Sequence, residues 1–240
     1  MLKLENDDMI IQTNMKRILF INCIFFLCCF QCKKADLCNP ADTESQCGIL
    51  NLALQRTSNS AFPKIPHCSP CKLFVTATTY NANLLGIAGA DAKCSVDSNK
   101  PASGTYKALL VDDSNRRACT SVNCTVGGIA EQIDWVFAPN VSYYSVNTSA
   151  FIFTSDVNGV FTGSLTTTVS APTGIWTGIK NNPSWDWQTD TSHTCTSWSD
   201  SVSANCGTYG VTSWQDSRAI AITSAYGNGG TLNNLLCIEQ

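Results

Sequence analysis

Basic side chains are scarce in this sequence, and their scarcity excludes one class of function. Charged residues make up only 14% of the 240 residues, and the formal net charge is −3. From Lys72 onward the chain has eight Lys/Arg against twelve Asp/Glu. Nucleic-acid binding requires a basic patch that neutralises phosphates, so we expect no nucleic-acid partner. The same deficit argues against a strongly basic, heparin-type surface.

Histidine is almost absent, which leaves few groups for acid–base catalysis or metal binding. The two histidines are His67 and His193, and the sequence has no G-x-S-x-G segment that would place a nucleophile beside a base. His67 lies in HCSPC, where Cys68 and Cys71 could form a redox pair or half of a zinc site. A strand-like rather than a helical segment follows, and thiols of an exported chain more often form disulfides. We predict no catalytic residue, no metal and no cofactor, and therefore no enzyme.

Carboxylates offer the remaining enzymatic alternative. The adjacent Asp112 and Asp113 could serve glycoside chemistry, but the Ser-Asn that follows them is typical of a turn. Asp186 lies between two tryptophans, and we interpret it as a packing or turn residue.

No apolar run is long enough for a membrane-spanning helix. The longest, residues 18–30, is interrupted only by Asn22, whereas a span needs about 20 apolar residues. Lys16 and Arg17 precede it, and a basic segment followed by a short apolar run is typical of a signal peptide. We therefore predict a signal peptide over residues 1–31, with the polar residues 1–14 interpreted as mis-called sequence upstream of a true start at Met15.

The apolar run ends in cysteines, as in bacterial lipoproteins, where an acylated cysteine becomes the new N-terminus. If Cys32 is lipidated, ten of the 14 cysteines remain in the mature chain with an unmodified thiol, and if Cys29 is lipidated, eleven remain. An exported chain favours an even number, because its thiols pair in disulfides. We predict lipidation at Cys32, with Cys29 as the alternative, and a plain cleaved signal also stays open.

Residues 32–71 have the composition of a tether, and residues 72–240 that of one folded domain. The tether is polar and rich in Pro and Ser, which suits a spacer rather than a core. Its cysteines allow three connectivities, and the sequence does not choose among them: Cys38, Cys47, Cys68 and Cys71. The domain is long enough to bury a hydrophobic core.

The hydrophobic pattern of the domain predicts an α+β fold of short strands. Residues 72–80 alternate apolar and polar side chains, which predicts a strand, and residues 88–97 have near-helical spacing. Residues 150–165 predict two strands joined at SDVNG. Further strands are predicted over residues 104–113, 174–179, 218–225 and 232–240, with one helical turn within residues 130–137.

Five segments occur in the order seen in endostatin, the C-terminal domain of certain collagens and a variant of the C-type lectin-like fold. They are GADAKC (89–94), GTYKALL (104–110), IWTGI (175–179), CTSW (195–198) and LLCIE (235–239). With the lipoprotein leader and RRACTSVNC, the chain resembles the leptospiral endostatin-like surface lipoproteins over residues 72–240. The resemblance implies an endostatin-like variant of the C-type lectin-like fold: mostly antiparallel short strands, one or two short helices, and disulfide-stapled.

The resemblance also implies the disulfides. Cys94 is expected to pair with Cys237 and to close a loop of over a hundred residues. Because such a bridge lowers the entropy of the unfolded chain, it should stabilise the fold by roughly 4–5 kcal/mol. Cys195 matches the first cysteine of endostatin's inner bridge, and Cys206 replaces the missing second one. A third pair, Cys119 with Cys124, is expected to close a short loop.

Members of the resembled family are adhesins on the cell surface. The resemblance implies a protein anchored by lipid to the outer membrane that binds laminin, fibronectin, plasminogen or complement regulators. It does not carry over heparin or zinc binding, because the domain's only arginines are Arg116, Arg117 and Arg218 and the zinc-binding histidines have no counterpart. A calcium lectin is also not expected, since the corresponding loop, SDSVSANCG, has no proline.

Four aromatic residues are candidate binding residues. Tyr143 and Tyr144 lie in the Thr-, Ser- and Asn-rich residues 140–172, whose adaptable polar side chains resemble those of protein-recognition loops. Trp185 and Trp187 could instead stack on sugar in a calcium-independent carbohydrate-binding module. Exposed rings would favour that alternative, and buried rings would favour a structural role. An envelope protein without a host ligand is the third hypothesis.

The tryptophan-rich stretch GIWTGIKNNPSWDW also predicts packing. We expect Trp176 to be a core residue beside a central strand. We expect Trp185 and Trp187 to brace the loop that Cys195 and Cys206 close.

Overall fold

The computed structural model describes residues 68–180, 184–222 and 227–240. The predicted signal peptide, the lipidation site and most of the tether lie outside the described residues. Among the described residues, no helix has the length and apolar character needed to cross a membrane.

Short strands and two short helices make up the regular structure. The strands are β1 (Cys71–Val75), β2 (Tyr106–Ala108), β3 (Ser142–Ser145), β4 (Phe151–Thr154), β5 (Gly174–Trp176), β6 (Tyr209–Val211) and β7 (Leu236–Glu239). The helices are α1 (Gly86–Val96) and α2 (Cys195–Trp198), with 3-10 turns at Val122–Cys124, Gly128–Glu131 and Ser217–Ala219.

The strands form a mixed five-stranded sheet and a separate two-stranded ribbon. The order in the sheet is β2-β7-β1-β3-β4, and β5 pairs with β6. Only the pair β1–β3 is parallel, and the other four pairs are antiparallel. The fold is therefore α+β and mostly antiparallel, which confirms the predicted fold class.

Two hydrophobic clusters form the core. The larger contains Leu73, Tyr143 and Ile238, and the smaller contains Phe74, Cys237 and residues of α1. Adjacent residues of β1 and β7 thus belong to different clusters, because successive side chains of a strand point to opposite faces. The smaller cluster includes the buried side of α1, whose residues recur at helical spacing: Ile87, Ala90 and Cys94.

Four disulfides link the described residues. Cys94 joins α1 to Cys237 of β7, Cys195 pairs with Cys206, and Cys119 pairs with Cys124, as the sequence analysis predicts. The fourth bridge joins Cys68 to Cys71, so these two thiols form neither a zinc ligand pair nor part of a longer tether bridge. Disulfides in this number are typical of a protein that folds in an oxidising, extracytoplasmic compartment.

The buried tryptophans divide between the two clusters. Trp176 is fully buried and its indole N–H donates to the Tyr80 carbonyl, which confirms it as a core residue. Trp185 and Trp187 belong to the larger cluster, whereas Cys195 and Cys206 belong to the smaller one. The prediction that they brace that loop is wrong: Trp176 and Trp198 are the tryptophans in the cluster of that bridge.

Several predicted strands differ in the structure. Residues 150–165 contain only β4, because the partner of β4 is the preceding β3 rather than the following residues 160–165. Residues 218–222 include part of a 3-10 turn instead of a strand. The turn begins at Asp216, whose carboxylate accepts a hydrogen bond from the Arg218 backbone N–H, as a capping side chain does.

Candidate functional site

A surface pocket of about 290 Å³ lies beside the paired strands β1 and β3. We call it the Tyr144 pocket. Its lining comes from three parts of the fold. Strands β1 and β3 supply Lys72, Tyr144 and Ser145, and the turn after β3 supplies Val146 and Ser149. Two prolines complete the rim: Pro70 and Pro101.

Strand register places Lys72 and Tyr144 of the pocket on one face of the sheet. Lys72 and Tyr144 are Cα partners across β1–β3, and Tyr144 and Phe151 are partners across β3–β4. On the other side, Tyr106 and Glu239 are partners across β2–β7, and the Lys72 backbone N–H donates to Glu239 Oε2 at 2.9 Å. Because cross-strand partners share a face, these five side chains form a row across the five strands.

The rim of the pocket is fixed by covalent and hydrogen bonds. The Cys68–Cys71 disulfide closes the short loop that contains Pro70. On the opposite side, Ser149 N–H donates to Ser145 O and Ser145 N–H donates to Ala150 O, both at 2.9 Å. A site built on such supports keeps its geometry without ligand.

Lys72 is distinctive among the basic side chains. Five of the eight basic residues from Lys72 onward pair with aspartates: Lys107, Arg116, Arg117, Lys180 and Arg218. Lys93 and Lys100 lie over the rings of Tyr80 and Tyr106, 5.3 and 5.7 Å from the centroids. In the part of the chain that the structure describes, Lys72 alone has neither kind of partner for its ammonium group.

Tyr106 lies at the buried end of the same row. It is 3% exposed, and its hydroxyl has no hydrogen-bond partner among the described residues. Burial, helped by the negative charge of Glu239, raises the pKa of Tyr106 to about 12. The phenol is therefore neutral at physiological pH, and Lys72 and Glu239 are the two charged members of the row.

Tyr143 is not a binding residue, contrary to the sequence prediction. Its side chain is fully buried, stacks on Phe153 and accepts a hydrogen bond from the Ala138 N–H at 2.8 Å. Burial raises the pKa of its hydroxyl. The alternation of β3 sends Tyr143 to the core and Tyr144 to the pocket.

Trp185 and Trp187 are not binding residues either. Their rings are nearly parallel, with 6° between planes, but they are only 8% and 0% exposed. The Trp187 indole N–H donates to the Phe161 carbonyl at 2.7 Å, so it has its partner inside the core. Of the four candidate binding residues, only Tyr144 is accessible to a ligand.

Among the described residues, one cluster of side chains has the spacing of metal ligands, but its groups already form bonds within the protein. It consists of Cys119, Cys124 and Glu131. The two cysteines form a disulfide and offer no thiolate. The Glu131 carboxylate accepts hydrogen bonds from the backbone N–H groups of Thr120, Ser121 and Gly127, all at 2.6 Å. The group therefore organises a loop.

His193 is held in a structural contact. Its Nδ1 lies 2.9 Å from Asp190 Oδ1. The nearby Thr208 hydroxyl is fully buried and donates to Asp190 Oδ2 at 3.3 Å. The hydroxyl is thus directed to the carboxylate, whereas general-base activation requires it to donate to the imidazole.

The aspartates that offered an enzymatic alternative act in turns. Asp112 Oδ1 accepts the backbone N–H groups of Ser114, Asn115 and Arg116, and Asp186, 2% exposed, accepts that of Gln188. These contacts confirm their interpretation as turn or packing residues.

A larger cavity, of about 390 Å³, lies at the start of α1 and contains Asp91 and Asp134. Both carboxylates bind the fully buried guanidinium of Arg116, at 2.8 and 2.5 Å. Burial opposes the charge of Arg116, but these bonds outweigh it and raise its pKa. The ionic groups there neutralise one another, so this cavity is a weaker candidate than the Tyr144 pocket.

Sequence reasoning missed most of the pocket. One feature could have indicated Lys72: it is the charged residue in the otherwise apolar strand β1, and the only exposed one there. Ser145, Ser149 and Pro101 had none, since distant parts of the sequence bring them together.

The fold and the pocket together define a disulfide-linked α+β domain that carries a small surface pocket. The chain belongs to the DUF1554 family, described as proteins of unknown function, whose profile matches residues 77–215. Tyr144, Ser145 and Pro101 lie within the matched residues, and Lys72 lies just before them. No curated protein matches the chain.

Proposed function

We propose that this protein is an adhesin, anchored by lipid at Cys32 to the outer membrane, whose endostatin-like domain binds host matrix proteins such as laminin and fibronectin, or plasminogen and complement regulators. The resemblance of residues 72–240 to endostatin-like surface lipoproteins supports the class. The single observation that carries the proposal is the Tyr144 pocket, where an accessible aromatic ring and an ammonium group without an ion-pair partner among the described residues share one face of the sheet.

These side chains suit recognition of a partner. A tyrosine supplies a large contact area and a hydroxyl at a small cost in conformational entropy. Lys72 supplies a charge that no described carboxylate neutralises, so a partner group can pair with it without first breaking an internal ion pair. The disulfide-fixed rim reduces the entropy lost on binding.

The carbohydrate alternative depended on Trp185 and Trp187, and neither ring is accessible to a sugar. A calcium-independent sugar site based on Trp185 and Trp187 requires exposed rings, and both rings are buried. The remaining alternative, an envelope protein without a host ligand, is an outcome of the experiment below.

Solid-phase binding of the mature, oxidised protein to laminin, fibronectin and plasminogen tests the proposal. We expect saturable binding to at least one of them, and a loss of about tenfold or more in affinity for Tyr144→Ser, because an aromatic contact residue typically contributes over 1 kcal/mol. The matched control is Val157→Ser, an exposed apolar side chain outside the pocket. The proposal would be contradicted if none of the three host proteins bound saturably, or if Tyr144→Ser and Val157→Ser lost the same amount of affinity.

A further inference from the structure

The charge of the Tyr144 pocket fits a ligand group with one negative charge. Among the described residues that line it, Lys72 is the only charged one, and its ammonium group has no described partner. Glu239, its neighbour in the row, is held by the Lys72 backbone N–H. A lysine is a point charge, so it can pair with a single anionic group.

Four described residues of the lining have backbone N–H groups that already donate within the protein and are therefore not available to a phosphate. The N–H of Lys72 donates to Glu239, that of Ser145 to Ala150, that of Val146 to Leu73, and that of Ser149 to Ser145. A phosphate dianion is usually bound by several N–H groups or by a bidentate guanidinium. The donor set therefore favours a carboxylate over a phosphate.

Two hydroxyl groups point to a ligand with hydroxyl groups of its own. The side-chain oxygens of Tyr144 and Ser149 have no hydrogen-bond partner among the described residues. Each can donate and accept. A polyhydroxylated ring presents a carboxylate for Lys72 and hydroxyls for these two groups from one compact unit, whereas a peptide needs its side chain for Lys72 and further residues for the hydroxyls, so we favour the polyhydroxylated ligand.

The apolar part of the lining and the size of the pocket agree with a single ring. The Tyr144 ring, Val146 and the two prolines Pro70 and Pro101 offer surfaces for C–H groups. At about 290 Å³, the pocket lies at the small end of the range for ligand sites.

From these features we propose that the Tyr144 pocket binds a carboxylated pyranose, the acidic sugar unit at the end of a glycan. The carboxylate pairs with Lys72, the sugar hydroxyls bond with Ser149 and with the Tyr144 hydroxyl, and one face of the ring packs on the Tyr144 ring. This inference rests on the proposed function, because it names the chemical group on a host glycoprotein that the adhesin recognises.

Calorimetry or ligand-observed NMR with small probes tests the sugar directly. The mature, oxidised protein is titrated with the methyl glycoside of N-acetylneuraminic acid and with glucuronic acid. Galactose, galactose 6-sulfate and a short acidic peptide serve as comparators. We expect at least one carboxylated sugar to bind, with at least about tenfold lower affinity for each comparator, since a hydrogen bond to a charged group contributes about 1.5–3 kcal/mol.

Two variants tie binding to the pocket. Lys72→Gln should reduce the affinity for the carboxylated sugar about tenfold or more, whereas Lys180→Gln, which removes an exposed lysine outside the pocket, should not change it. Tyr144→Phe keeps the ring and removes only the hydroxyl, so we expect it to fold. Its loss of affinity for the carboxylated sugar should be smaller than that of Lys72→Gln. Equal affinity of the acidic peptide or the sulfated sugar, no binding of either carboxylated sugar, or an unchanged affinity in Lys72→Gln would overturn the inference.

Enzymatic removal of sialic acid separates this inference from the proposed function. If recognition proceeds through sialic acid, binding to sialidase-treated fibronectin falls relative to mock-treated fibronectin. If binding survives the treatment and is not competed by glucuronic acid, but is lost in Tyr144→Ser, the protein is an adhesin that recognises another group, and only the sugar inference fails. If the sugar binds but no host protein does, the proposed function fails and the pocket chemistry stands.

Discussion

Glu131 illustrates how a single carboxylate determines a loop in this protein. Burial by itself would raise the pKa of Glu131, but hydrogen bonds from Ser121, Gly127 and Thr120 outweigh it and hold the pKa at about 2. The Ser121 hydroxyl also donates to it at 2.6 Å. The charged form therefore fixes the loop that the Cys119–Cys124 disulfide closes.

We predict that Glu131→Gln lowers the free energy of unfolding by about 2 kcal/mol at pH 7, because an amide accepts fewer and weaker hydrogen bonds than a carboxylate. The folded-state pKa lies below its ordinary value of 4.5, so this stabilisation is present above about pH 4.5 and is lost as the pH falls toward 2. Urea unfolding at pH 7 and pH 3 measures both effects.

The control for this experiment is Asp113→Asn, which removes only an exposed partner of Arg117. Its effect should stay below about 1 kcal/mol, as for most surface ion pairs. A loss in Glu131→Gln no larger than that of the control, or one that does not shrink at low pH, would refute the assignment.

At the scale of the element, α2 is unusual because its backbone is left-handed. All four of its residues have positive φ, from 47° at Cys195 to 64° at Trp198. This conformation costs an L-residue roughly 1–2 kcal/mol, so the rest of the fold must hold it. The Cys195–Cys206 disulfide and the burial of Trp198, whose indole N–H donates to the Val111 carbonyl, provide that support.

We expect Ser197→Gly to raise the free energy of unfolding by about 0.5–1 kcal/mol, because glycine adopts positive φ without steric cost although it loses more entropy on folding. Ser197 is exposed, so the change removes little packing. Thermal and urea unfolding give the measurement. Ser164→Gly is the matched control: it is also exposed but lacks a positive φ, and there glycine should be neutral or destabilising. A gain that is the same at both positions would argue against backbone strain in α2.

At the scale of the whole molecule, the disulfides differ in how much of the chain they constrain. Cys94 and Cys237 are 143 residues apart in sequence, whereas Cys119 and Cys124 are five apart. The long bridge joins α1, which is near the start of the domain's sequence, to the interior strand β7, which is near its end.

Replacing Cys94 and Cys237 together by Ala should lower the free energy of unfolding by about 5 kcal/mol, against about 2 kcal/mol for Cys119 and Cys124, since a longer closed loop removes more entropy from the unfolded chain. Urea unfolding of the two double variants checks the order. Losses of equal size would show that loop length does not govern the contribution of these bridges.

Features that depend on local pattern or on cysteine positions could be predicted from the amino-acid sequence. The alternation in residues 72–80 predicted β1, and the helical spacing of residues 88–97 predicted α1. The resemblance to endostatin predicted the Cys94–Cys237 bridge, and the positions of the remaining cysteines of the domain predicted the other two pairs. It also predicted Trp176 as a core residue. The strand and helix patterns are local signals. Cysteine and tryptophan also have few other roles in an exported domain besides pairing and packing.

Which residues are accessible and which come together depends on the folded chain and could not be read from the sequence. Tyr143 and Tyr144 are equivalent in sequence, and the side of β3 that faces the core separates them. Trp185 and Trp187 have the composition of a sugar-binding surface, yet the surrounding aromatic cluster buries them. Lys72 and Tyr144 lie far apart in the chain and become neighbours through the parallel pairing of β1 and β3. Long-range strand pairing has no local sequence signature, and for that reason the pocket follows from the fold alone.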